Sequence, residues 1–188
     1  MTFLDDDTAL HEGAVTGAIA DRRQIAVAGP DRASFLQGLL TNDIPALAAG
    51  RGCYAAWLTP QGRMLTDLHV LESGDMILLD VPADTAEQTA ERLEQFHFTE
   101  DVQVASLADS LRVVWMHGPG APQVLDELAG RPPSPRLRRI DAGPPYADWS
   151  QYQNARTEMA GASVVIARID QLGVPGLRFM STCPGKPR

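Results

Sequence analysis

Arg23-Gln-Ile-Ala-Val-Ala-Gly-Pro-Asp31-Arg-Ala-Ser-Phe-Leu-Gln-Gly-Leu-Leu-Thr-Asn-Asp43, then Gly52-Cys-Tyr54, then Leu58-Thr-Pro-Gln-Gly-Arg-Met-Leu-Thr-Asp67, form the organising stretch of this chain. Gln24 to Ala28 reads as a strand, with Ile25 and Val27 on one face. Gly29-Pro30 breaks it. Asp31 suits a helix start, because a carboxylate there offsets the unpaired amides and the helix dipole. The helix is predicted to reach about Leu40, with Phe35, Leu36, Leu39 and Leu40 on its apolar side. Thr41-Asn42-Asp43 ends it with side chains that hydrogen-bond locally to backbone. Cys53 to Thr59 is apolar on both faces and is predicted to be a buried strand. Pro60-Gln61-Gly62-Arg63 is a hairpin turn, and Met64 to Leu71 the return strand, with Asp67 inside it.

Outward from this unit, Met76 to Val81, Val102 to Leu107 and Leu111 to Met116 read as strands, and residues 13–20 as a short one. Residues 83–97 are predicted to be a helix opened by an Asp84–Glu87 capping box, with Ala86, Ala90, Leu93 and Phe96 or Phe98 as its buried stripe. A shorter helix is expected from Pro122 to Ala129. Leu137–Ile140, Ser163–Arg168 and Leu177–Met180 complete the expected strands. Strand pairs alternating with single helices indicate an α+β fold with mainly antiparallel sheets. Val113-Val-Trp-Met-His-Gly-Pro119 echoes Ile25-Ala-Val-Ala-Gly-Pro30, which suggests an internal duplication. The expected division is a disordered N-terminus at 1–12, a first domain part at 13–130, a Pro-rich connector at 131–136, a second part at 137–180 and a disordered tail at 181–188.

The 188 residues suffice for one large or two small domains with a sizeable core. A hydrophobic fraction of 44% is ordinary for a globular protein, and no apolar run approaches a membrane span. The acidic start, Met1-Thr-Phe-Leu-Asp-Asp-Asp7, has no secretory character. Cys53 and Cys183 make neither a disulfide framework nor a metal knuckle, so a cytoplasmic location is expected. The net charge is −8, with seven arginines and 20 acids in residues 1–130. Such a field argues against direct nucleic-acid binding. The basic residues of the 131–139 segment read as a solvated linker.

Four residues could carry chemistry. Asp67 lies in an otherwise apolar strand, where a buried carboxylate is costly unless paired. On pattern alone, an outward-facing Asp on an edge strand accounts for it better. Tyr54 suits both stacking on a flat ligand and simple packing, and on pattern alone packing accounts for it better. Asn42 and Asp43 could hold a ligand, and a helix-ending turn explains them as well. His11, His69, His97 and His117 show no metal-ligand spacing, and no metal site is expected. No phosphate-binding glycine loop and no serine elbow is present.

The series Val27 to Asp43, Tyr54-Ala55-Ala56, Leu58 to Arg63 and Asp67 resembles the folate-binding domain of the glycine-cleavage T-protein (aminomethyltransferase) superfamily. Within it the resemblance is closer to the YgfZ-type branch, linked to iron–sulfur protein maintenance and tRNA modification. Glu100-Asp101-Val102, Gly118-Pro119 and Gly173-Val-Pro-Gly176 extend the match over most of the chain. The resemblance implies two interleaved ferredoxin-like subdomains and a tetrahydrofolate cofactor. It implies that Asp67 approaches the reactive folate nitrogen and that Tyr54 lines the pterin pocket; Asn42 and Asp43 remain the further candidates for cofactor binding.

The departures bear on activity. T-proteins carry two adjacent acids in the return strand, and here the first position is Thr66. Their downstream Gly-Tyr-Thr-Gly-Glu motif is absent, as is the Lys-Gly-Cys-Tyr-x-Gly-Gln-Glu motif of the YgfZ branch. Cys53 is therefore read as a strand residue and not as the family's cysteine. The expected function is tetrahydrofolate binding without catalysis, in support of iron–sulfur cluster assembly or repair and tRNA modification, with folate and iron–sulfur client or assembly proteins as expected partners. The alternatives are a tetrahydrofolate-dependent aminomethyltransferase, or a truncated fragment without activity. The resemblance predicts that the chain is the N-terminal part of a longer protein, or a truncated product.

Overall fold

Hydrophobic alternation along five strands and the apolar sides of two helices produce the first of two units in this chain. The computed structural model describes residues 3–130, 146–159, 162–171 and 173–182. The expected 131–136 connector, the Leu137–Ile140 strand and nearly all of the 181–188 tail lie outside them. The described chain divides into Ala20–Leu111 and a second unit made from residues on both sides of that insertion, Met1–Ile19 and Arg112–Arg188. The fold is α+β with two antiparallel sheets, and the units interleave along the sequence as expected.

In the inserted unit, β2 (Arg22–Ala28), β3 (Arg51–Leu58), β4 (Met64–Glu72), β5 (Met76–Pro82) and β6 (Gln103–Ser106) follow β1 (Val15–Ala18) in chain order. They form a sheet in the order β3-β4-β5-β2-β6. Helices α2 (Arg32–Gln37) and α3 (Ala86–Gln95) supply the buried Phe35, Leu36, Ala86 and Leu93. These join Ile25, Val27, Ala55, Trp57, Leu68, Val70, Ile77, Leu79 and Val81 in one core. Since strand side chains alternate, all of these strand residues share the helix-covered face. Each fully buried leucine or isoleucine there contributes about 2 kcal/mol of transfer free energy.

Several local expectations yield to tertiary contacts. Helix α2 is only six residues long. The Asp31 carboxylate makes no cap bond; it accepts the backbone N–H of Asp101 at 2.8 Å, tying the helix start to the segment before β6. Nor is α3 opened by Asp84, since Thr85 occupies the cap position and makes no side-chain cap bond. Phe96 and Phe98 are 48% and 80% exposed, so the buried stripe ends at Leu93. β3 is not buried on both faces: its residues alternate toward exposure, as suits an edge strand. β4, by contrast, is an interior strand, and Asp67 lies on it just before the ladder with β5 begins at His69, paired with Ala56 of β3.

The second unit begins with α1 (Phe3–Glu12), a helix where the sequence predicted no order. Its sheet contains β1, β7 (Leu111–His117), β8 (Asn154–Met159), β9 (Ala162–Arg168) and β10 (Gly176–Thr182), in the order β1-β7-β10-β9-β8. α4 (Ala121–Gly130) contributes Ala121 and Leu125 to a core with Trp149, Val164, Ile166 and Leu177. β8, Asn-Ala-Arg-Thr-Glu-Met, was missed because its polar residues mask a strand that alternates in burial.

The echo between β2–Gly29-Pro30–α2 and β7–Gly118-Pro119–α4 is real at the backbone. Gly29 and Gly118 have φ of 104° and 120°. A Cβ on either would run into a carbonyl oxygen, that of Asp101 or of Gly13 respectively. Gly62 also has positive φ, 79°, but nothing lies within 4 Å of its would-be Cβ. Gly62→Ala is therefore expected to cost about 1 kcal/mol of backbone strain. Gly29→Ala adds a steric clash and is expected to cost at least about 2 kcal/mol. Urea denaturation of both variants checks this, and equal midpoints would remove the close approach from the account.

Candidate functional site

The face of the first sheet opposite α2 and α3 carries the polar residues. Register places them in one row. Tyr54 of β3 pairs with His69 of β4, His69 with Asp80 of β5, and Asp80 with Gln24 of β2. One pleat along, Asp67 sits opposite Ala56, and Arg22 opposite Pro82. The period of two puts all six on the same side.

Asp80 has no solvent exposure, so its charge needs partners. Gln24 Nε2 donates to Oδ1 at 2.8 Å, and His69 Nδ1 lies 2.9 Å from Oδ2. Arg22 Nη2 donates to the Asp80 carbonyl oxygen at 2.6 Å, and Nε stands 3.4 Å from Oδ2. That last approach is an ion pair and not a hydrogen bond, since Nε finds no acceptor with suitable geometry. Arg22 Nη2 also lies 3.4 Å from His69 Nδ1. A guanidinium only donates and a carboxylate only accepts, so the shorter, charge-assisted contact sets the tautomer: His69 Nδ1–H donates to Asp80.

Asp67 is reached from the same arginine. Its Oδ2 is 3.7 Å from Arg22 Nη1, and its side chain is 30% exposed, against 13% for Arg22. Tyr54 is 45% exposed, and its ring centroid lies 6.0 Å from that of His69. The structure thus brings Tyr54 and Asp67 to one accessible face. Asn42 serves the backbone: its Nδ2 donates to the Tyr54 carbonyl at 2.9 Å, while its Oδ1 accepts the Asp43 amide. Asp43 is exposed. Thr66, at the position before Asp67, is buried on the opposite face, where its hydroxyl bonds that of Thr85 at 2.9 Å.

Arg22, Gln24, His69 and Asp80 were missed as a set. A signal existed: β2 and β4 each carry polar residues at i and i+2, Arg22/Gln24 and Asp67/His69, which alternation sends to one face. The second unit holds another buried group, His117, whose pKa is lowered chiefly by burial and then by the Arg178 guanidinium, against the pull of Asp170. A groove of about 230 Å³, lined by Ser34, Phe35, Gly38, Leu39, Phe96 and Glu100, contains none of the sequence candidates. Among the described residues, no group of three His, Cys, Asp or Glu could hold a metal ion, and no helix is long and apolar enough to cross a membrane.

Two interleaved antiparallel α+β units are also the architecture of a solved relative. The glycine cleavage system aminomethyltransferase T from Bartonella henselae superposes with a TM-score of 0.76 at 24% identity, over 94% of this chain and 44% of that one. Residues 5–173 match the family described as the GCVT N-terminal domain, and the chain belongs to that family. An aminomethyltransferase of Bacillus subtilis is 32% identical over 123 residues, 63% of this chain and 34% of its own length. One from Thermotoga maritima is 25% identical over 166 residues, 88% of this chain and 42% of its own length. The chain spans less than half the length of the relatives it matches.

Asp80→Ala would leave Gln24 and His69 without their acceptor and remove the ion pair of Arg22, which keeps only the main-chain carbonyl at that position, and is expected to cost about 3 kcal/mol of stability. A urea midpoint matching wild type would show that the row is not a paired network. Cys53 tests the β3 environment, since burial pushes its thiol up to about 11. Alkylation of Cys53 at pH 8, followed by peptide mass spectrometry, should run about a hundredfold slower than that of an exposed thiol. A rate equal to that of free cysteine would contradict the buried setting.

Proposed function

We propose that this chain binds tetrahydrofolate on the sheet face bearing Tyr54 and Asp67, as the folate-binding part of an aminomethyltransferase-type protein. The observation that carries the reading is the accessible Asp67 carboxylate on the same face as the exposed Tyr54 ring, with the Arg22 guanidinium 3.7 Å from Oδ2. The residues fit such a ligand chemically. An aromatic face suits a flat pterin, and a carboxylate can accept from pterin N–H groups. When bound, tetrahydrofolate would supply the nitrogen that carries a one-carbon unit. Asp67 orients that nitrogen, Tyr54 holds the ring system, and Asn42 fixes the backbone from which Tyr54 projects. Asp43 contributes an exposed carboxylate beside the Asn42 turn. Membership of the family and the aminomethyltransferases among its relatives support the choice.

A second reading keeps the folate site and drops the transfer step. In it the protein supports iron–sulfur cluster assembly or repair and tRNA modification, with assembly or client proteins as partners. Thr66 favours it: where an acid would stand beside Asp67, a buried hydroxyl is bonded to Thr85.

Titration with tetrahydrofolate under reducing, anaerobic conditions tests the common part. Asp67→Asn and Tyr54→Ala should each weaken binding about tenfold. Unchanged affinity in both variants would sink the pocket, and no binding by wild type would favour an inactive fragment. Formation of methylene-tetrahydrofolate from an aminomethyl donor then separates transfer from binding alone.

A further inference from the structure

We propose that Arg22 is the positioning residue for Asp67, and that the buried row Gln24–Asp80–His69 exists to hold Arg22 in place for it. The inference rests on the folate reading only for its consequence in binding; the positioning itself is a property of the ligand-free protein.

The argument starts from the guanidinium's donors. Arg22 Nη2 is committed to the Asp80 carbonyl at 2.6 Å, and Nε faces Asp80 Oδ2 at 3.4 Å. This fixes the plane of the group from one side. Nη1 remains, and it lies 3.7 Å from Asp67 Oδ2. Both neighbouring carboxylates belong to strands on the same side of β2, with β5 beside it and β4 next. Arg22 therefore reaches across Pro82, its partner on β5, to the strand beyond. A long side chain spanning a strand loses rotamer freedom, so something must hold it. Asp80 does so, and is itself held: Gln24 occupies Oδ1 and His69 occupies Oδ2, at 2.8 and 2.9 Å.

If the row served only to neutralise Asp80, Arg22 would have no reason to share itself. An apolar row would then be at least as stable, since a buried ion pair rarely out-stabilises well-packed hydrophobic side chains. The graded exposure fits a positioning role. Asp80 is fully buried, the Arg22 side chain 13% exposed and that of Asp67 30% exposed, so the chain of contacts leads from the interior to an accessible carboxylate. Lysine could not replace arginine here, because its three N–H groups radiate from one nitrogen and cannot stand at the separate Nη2 and Nη1 positions that face the Asp80 carbonyl and Asp67.

The first readout uses no ligand. In ¹⁵N spectra of the arginine side chains, Arg22 of wild type should give resolved, slowly rotating guanidinium signals. Asp67→Asn should shift them and speed the rotation, with the melting temperature nearly unchanged. Arg22 signals that do not respond to Asp67→Asn would overturn the proposal. The second readout is a double-mutant cycle on tetrahydrofolate affinity. Arg22→Gln should weaken binding about fivefold when Asp67 is present and less than twofold in the Asp67→Asn background. Arg22→Lys should fail to restore affinity. Equal losses in both backgrounds would overturn the link between Arg22 and Asp67. Absence of tetrahydrofolate binding by wild type would sink the folate reading alone, and the spectral response to Asp67→Asn would still decide the positioning.

Discussion

A carboxylate with no access to water sits at the centre of the first sheet, and much of the surrounding polar structure answers to it. Asp80 would be prohibitively costly as an isolated charge. Its compensation comes from three side chains on two other strands: Gln24, His69 and Arg22. None of these is a neighbour of Asp80 in sequence. The network exists only when β4, β5 and β2 are paired in one register, with the apolar face of the same strands closed by α2 and α3. Packing on one face and hydrogen bonding on the other are thus a single constraint.

How far the sequence revealed this depends on the kind of signal. Strands β2, β4, β5 and β7 and helix α4 were legible, because each has apolar residues bounded by a nearby Gly or Pro, and α3 through its apolar stripe. The repeated strand–Gly-Pro–helix unit was legible too, and both glycines adopt the positive φ that makes it possible. What was not legible came from tertiary partners. Asp31 looks like a cap, yet its carboxylate is drawn to the Asp101 amide. Asn42 looks like a ligand or a helix stop, and it clamps the Tyr54 carbonyl. α1 and β8 carry too many polar residues for their periodicity to stand out. Asp80 sits inside the predicted Met76–Val81 strand with nothing in the sequence to single it out, and only the paired register shows it to be the hub of a row.

The candidate site shows the same division. Tyr54 and Asp67 were candidates by residue type that likeness to a family brought to the front, and the fold puts them on one accessible face. The residues that tie Asp67 to the interior, Arg22, His69, Gln24 and Asp80, lie outside the quoted family motifs. Thr66 shows why neighbours in a strand need not share a role: alternation sends it to the helix-covered side, where it bonds Thr85. All six polar side chains of this face belong to the inserted unit.

The polar row has a consequence for how the sheet assembles. Strand pairing alone is nearly indifferent to a shift of one residue, because every backbone bond can be remade in the slipped arrangement. Here a slip of β5 by one position would turn Asp80 toward Phe35, Leu36 and Leu93, and would lift Leu79 out of the core. The penalty falls on both faces at once, through a buried unpaired charge and a lost hydrophobic contact. The row therefore acts as a registration key, since only one alignment of β5 keeps both faces satisfied.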